Sequence, residues 1–174
     1  MKKIIVSAVG SLIILFTSCS IIDIDDIMAD AGVGPYVLNG TWVQQDPPVG
    51  LNGFKQVFYN GNLERLIDGL PEPIMKGSYY TNKKILTMNI THVHGTFVSS
   101  ILTPMGAPVG DMVDNWYTKE ELENYFLSKS WGSIPMSQFL NLFGESTASY
   151  SVSGNKLILT YEHEEIYEDI FYRE

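Results

Sequence analysis

The amino-acid sequence predicts a mainly β fold: an antiparallel up-and-down β-barrel of about eight strands, with a helical insertion near residues 118–143. Three observations predict it. Short runs rich in Val, Ile, Leu, Tyr and Phe recur along the chain, separated by turns containing Gly, Pro and Asn. No strand–helix–strand rhythm interrupts them, which argues against a parallel sheet built from crossover units. Finally, "GSYYTNKKILTM" and "ASYSVSGNKLILTY" read as one hairpin used twice, each with a small residue, Ser-Tyr, an Asn-Lys turn and an apolar strand.

The first segment is not part of that barrel. Lys2 and Lys3 precede an apolar run from Ile4 to Phe16. A basic start followed by a run of this length is the layout of a secretory signal, too short and wrongly flanked to span a membrane. Phe16-Thr17-Ser18-Cys19 resembles the lipobox of bacterial lipoproteins, with Phe16 where Leu is usual. In that motif the cysteine is lipidated, palmitate being among the chains added, and becomes the new N-terminus. Cys19 is the chain's sole cysteine, so no internal disulfide accounts for it, whereas acylation does.

The expected organisation is a signal peptide at 1–18, a lipidated Cys19 and tether at 19–35, and one barrel domain at 36–174. Acyl chains contribute about 0.8 kcal/mol per buried methylene, so the expected partner is a membrane, gripped through Cys19. Ser20 follows the cysteine in place of the Asp that retains many lipoproteins in an inner membrane. The expected location is therefore the cell envelope, with the outer membrane favoured over the inner.

Composition narrows the classes further. Hydrophobic residues make up 45% and aromatics 12% of the chain, which suits a packed domain, here expected to be a monomer. The formal net charge is −9 with no basic cluster, which argues against a nucleic-acid partner. Without Lys2 and Lys3 the chain keeps 9 basic against 20 acidic residues, a net charge of −11. Such a domain should stand off an anionic membrane surface.

The elements follow in order. "YVLNGTWVQQ" reads as the first strand, then the turn "DPPVGLNG", the strand "FKQVFY", the tight turn "NGN" and the strand "LERLID". "LPEP" breaks the chain before "IMKGSYYT" and "ILTMNITHVHG". "TFVSSIL" reads as a further strand, closed by the Pro- and Gly-rich "TPMGAPVGD". "YTKEELENYFLSK" is helical: Thr118 and Glu121 form a capping-box pattern, and Leu122, Tyr125 and Phe126 recur at helical spacing. "IPMSQFLNLFG" reads as a second short helix, and "EIYEDIFYRE" as the last strand.

Gly40-Thr41-Trp42, at the opening of the first strand, resembles the Gly-x-Trp signature of the lipocalin and calycin group. The resemblance spans 36–174 in layout, and is nearest to small bacterial lipocalin-like lipoproteins. In motif it rests on Gly40, Trp42 and Arg173, because the family's middle Thr-Asp-Tyr-type turn has no match and the helix at 118–129 is displaced. It implies that Trp42 plugs one end of the barrel under the Arg173 guanidinium, with first and last strands paired. The face carrying Tyr167, Phe171 and Arg173 should then point inward.

A barrel implies an interior. Leu86, Met88, Ile90, His92 and His94 alternate along one strand and should share a face, with the two imidazoles at the mouth. Together with Met112 and Trp116 they are the expected lining of a site for a small, largely apolar ligand. His92, His94 and His163 could also be read as a three-histidine metal site, but His163 is flanked by Glu162 and Glu164, which splay to the opposite face, so no metal or other cofactor is expected. No nucleophile motif, phosphate loop or paired-carboxylate spacing is present, and the expected class is a binding protein rather than an enzyme. The rival is a filled barrel that contacts another envelope or host protein through 104–143, where Met105, Met112, Trp116, Tyr117, Trp131 and Met136 cluster.

Overall fold

A computed structural model describes residues 35–48, 50–70, 72–107, 109–129, 136–162 and 166–174. The signal segment, Cys19, nearly all of the tether, Trp131 and His163 lie outside these residues.

Alternation of side chains decides which strands can close. Along β1 (Gly40–Gln44), β2 (Lys55–Tyr59) and β8 (Lys156–Glu162), every second residue is buried. One face of each strand therefore has to meet a core, and a ring of such strands encloses it. The remaining barrel strands are β3 (Asn62–Leu66), β4 (Met75–Asn82), β5 (Ile85–His94), β7 (Gly144–Ser153) and β9 (Ile166–Arg173). All pairings are antiparallel, and the ring runs β1-β2-β3-β4-β5-β7-β8-β9 and back to β1. This is the predicted closed eight-stranded up-and-down barrel. The two strands furthest apart in sequence close it, Trp42 standing opposite Arg173 and Gln44 opposite Phe171. The repeated hairpins are β4–β5 and β7–β8, each with a two-residue turn, Asn82 pairing Ile85 and Ser153 pairing Lys156.

The helical insertion between β5 and β7 starts earlier than predicted. "TFVSSIL" is not a strand but most of α2 (Gly95–Leu102), followed by a 3-10 turn at Thr103–Met105. The reason is pairing. The neighbours of β5 reach only Val93 on one side and Ile90 on the other, apart from the two-residue β6 (Trp116–Tyr117), which covers Val93 and His94. A strand prolonged beyond His94 would leave its backbone groups unmatched, whereas a helix satisfies them internally. α2 buries Phe97, Val98 and Leu102.

α3 (Lys119–Ser128) starts where predicted. Glu121 N donates to Thr118 Oγ1 at 3.3 Å and Thr118 N donates to Glu121 Oε2 at 2.8 Å, which completes the capping box. A short α4 (Met136–Leu140) follows and contributes Phe139 against Phe126. A second correction concerns Tyr36–Leu38, predicted as strand: Pro35–Leu38 form one helical turn, α1, whose last carbonyls serve the site described next.

Candidate functional site

One end of the barrel is sealed. Trp42 is fully buried, and its Nε1 donates to the Leu38 carbonyl at 2.7 Å. The Arg173 guanidinium lies 4.5 Å from the centre of the indole, and its Nη2 donates to the Val37 carbonyl at 2.8 Å. α1 is thus clamped over the end by the two residues that the first and last strands bring together. Gly40 has φ +134°, a backbone conformation that side chains with a Cβ rarely adopt, which is why a glycine precedes the tryptophan by two. Phe58 and Tyr79 pack edge to face beside it, 4.9 Å apart, and Tyr79 Oη donates to Asn39 Oδ1. Gly40, Trp42 and Arg173 therefore meet as the sequence implied, with Phe171 buried on the same inward face.

The expected ligand lining does not assemble. Leu86, Met88 and Ile90 point inward and are buried in the packed core, and they are not among the residues that line the cavity described below. His92 and His94 face the other way. Met75 pairs with Val93 and Lys76 with His92, yet Gly77 pairs with Ile90, so Thr91 is an extra residue in β5. Such a bulge reverses the alternation: Val93 joins the barrel core, while His92, half-buried, and His94, buried, take the other face of the strand, where the insertion covers His94. His94 then packs edge to face on Trp116 at 4.8 Å, and Lys76 Nζ lies 4.2 Å from the Trp116 ring centre. His94 also borders a small pocket of about 90 Å³, below the usual size of a ligand site. Met112 is fully buried within the insertion. A sequence signal for the bulge existed, since Val93 is apolar but out of phase with Leu86, Met88 and Ile90.

Open space is found towards the end of β1 away from α1, beyond the cross-strand pair of Trp42 and Gln56. A cavity of about 430 Å³, open to solvent, sits beneath the loop joining β1 and β2. Gln44, Gln56, Arg65 and Asp169 reach it from β1, β2, β3 and β9, and Pro48, Leu51, Phe54 and Tyr167 provide apolar wall. Gln44 Nε2 donates to Asp169 Oδ1 at 2.7 Å. Burial raises the Asp169 carboxyl above the usual range, against the stabilising hydrogen bond from Gln44 and the charge of Arg65. Burial likewise lowers the Arg65 guanidinium from its ordinary value, and it remains a cation at neutral pH. Nearby, Tyr161 and Tyr167 stack at 4.8 Å, and burial pushes the Tyr161 phenol up to about 12.

These polar residues were missed from the sequence because they occupy inward positions in otherwise apolar strands. The signal is present in retrospect: Gln56 alternates with Phe54 and Phe58, and Arg65 with Leu63. A polar residue in phase with core residues is either a cost or a site.

No family model matches the sequence, and no curated protein matches it. Among solved structures, the fold is similar to that of an uncharacterized protein from Bacteroides eggerthii, at a TM-score of 0.44 and 16% identity, over 79% of this chain and 99% of that one. At that distance the likeness says nothing about function.

Proposed function

We propose that this is a lipocalin-like lipoprotein of the cell envelope, anchored through Cys19, that binds a small molecule in the open end of its barrel and catalyses no reaction on it. The observation that carries the reading is the cavity of about 430 Å³ at the mouth, within the usual range for small-molecule sites. Its lining combines apolar wall with a few convergent polar groups, so the ligand is amphipathic rather than wholly apolar. The filled half of the barrel around Trp42 is the rigid floor that holds those groups in place.

Native mass spectrometry of protein purified without detergent from its host should reveal a bound small molecule. Protein that emerges empty, and whose Leu51→Trp variant (a side chain placed to fill the mouth) takes up small amphiphiles as well as the wild type, would sink the reading. The anchor is tested separately. Cys19→Ser should abolish acyl labelling and move the protein from the membrane to the soluble fraction, while unchanged fractionation would count against it.

The rival reading, a protein contact through 104–143, draws on the exposed side chains of Met105, Val113 and Leu127. Among the described residues of that region these most exposed large apolar side chains are not aromatic, and a cavity lies elsewhere in the barrel, so the binding reading stands ahead. Cross-linking on intact cells should trap a partner only if the rival is right.

A further inference from the structure

Gln56 and Arg65 are direct cross-strand partners on β2 and β3, and both border the mouth cavity. Gln56 Oε1 and Arg65 Nε are shielded from solvent, and neither has a hydrogen-bond partner. Buried polar atoms in folded proteins are nearly always paired, because an orphan forfeits its hydration without recompense. Two orphans on adjacent residues, at the wall of one cavity, mark a place where the partner comes from outside the chain.

The charge says what kind of partner. Arg65 is a cation in a chain of net charge −9, yet no ion pair reaches it among the described residues. Those pairs, Lys55 with Glu174 and Lys129 with Asp111, are at the surface. Asp169, the carboxylate on the cavity wall, accepts its hydrogen bond from Gln44 instead. The contacts at its donors are soft, Met88 Sδ at 4.0 Å from Nη2 and the Phe54 ring centre 6.0 Å from the guanidinium carbon. Asp169 and Tyr161 act on it only through charge, with no direct ion pair between Arg65 and Asp169. A desolvated guanidinium so incompletely matched is costly, and an anionic oxygen in direct contact is what its fork of donors fits.

We infer that the barrel mouth selects a carboxylate-bearing amphiphile, with Arg65 donating to the carboxylate and Gln56 Oε1 accepting from a hydroxyl or amide N–H on the same ligand. This rests on the binding reading above and names the ligand's chemical class. The apolar part of the ligand lies along Leu51 and Phe54.

The test uses three probes with the same eight-carbon chain, octanoate, 1-octanol and octylammonium, titrated calorimetrically into the mature protein. Octanoate should bind at least about tenfold more tightly than octanol, the ratio expected from one charge-assisted hydrogen bond, and octylammonium most weakly. In Arg65→Gln the octanoate-to-octanol ratio should collapse towards one, and Arg65→Lys should restore part of it. Octanol binding as tightly as octanoate to the wild type overturns the head-group assignment while leaving the cavity as a binding site, the two orphans then being bridged by water. Absence of binding by all three overturns both. The wild-type ratio decides even if the variants fail to fold.

Discussion

Trp42 is the residue on which most of the closed end depends. It is fully buried, and its indole is held by three different means: core contact, a hydrogen bond to Leu38 and the overlying Arg173. Trp42→Ala removes the transfer energy of the ring and leaves a cavity, so unfolding in urea should show a loss of about 3–5 kcal/mol. Arg173→Ala should lose less, about 1 kcal/mol, because that side chain is exposed and its cation–π contact is partly hydrated. Equal losses for the two would mean that Arg173 holds α1 in place as well as covering the ring. The pairing was legible in the residues themselves, since Gly-x-Trp near the start and an Arg near the end fit a known arrangement. The mouth residues were not legible in that way: Arg65 is an ordinary arginine until the register of β2 and β3 sets it beside Gln56.

At the scale of elements, the bulge in β5 determines more than any single helix. A Cβ added to Gly77 would sit 1.9 Å from the Asn89 carbonyl oxygen, so β4 can approach β5 there only without a side chain. Gly77→Ala should cost at least about 2 kcal/mol by forcing the strands apart, whereas Ser78→Ala, at the exposed position next to it, should stay within about 0.5 kcal/mol. Similar stabilities for the two variants would show that the bulge adjusts freely. The same bulge separates His92 and His94 from Leu86, Met88 and Ile90. Strict alternation placed all five on one face, and one extra residue in the pairing reversed the last two. α3 shows the opposite case. Its start is written in Thr118 and Glu121, which act on each other within one turn, so no distant contact could change it.

For the whole molecule, the polar end of the barrel makes stability depend on alkaline pH. Burial pushes the Tyr161 phenol up to about 12 in the folded state, against an ordinary value of 10.0. The folded state therefore holds this proton more tightly than the unfolded state. The contribution of this one group is constant below about pH 10, falls as pH rises from there, and is fully lost above about pH 12, at roughly 3 kcal/mol. Tyr79, Tyr117 and Tyr125 are also raised and add to the decline. Urea unfolding at about pH 9 and about pH 11.5 should thus show a smaller drop in Tyr161→Phe than in the wild type, and an identical drop would place Tyr161 in a wetter environment than the structure gives it.

What the sequence determined by itself is the kind of object: strand periodicity of two, turn residues at regular spacing and hairpins with local signals oblige an antiparallel meander, and the first and last strands carry the residues that close it. These features are local, acting over a few residues, so they can be read along the chain. Only the tertiary structure decided where the open space lies. Whether an inward position is packed or vacant depends on volumes summed across strands that are distant in sequence, as at Gln44, Gln56, Arg65 and Asp169. The apolar face that looked like a ligand lining is filled because Phe58, Leu63, Tyr79 and Phe171 arrive from other strands to occupy it. The cavity remains towards the end of β1 away from α1 because polar side chains, each needing a partner, cannot collapse onto one another as apolar ones do.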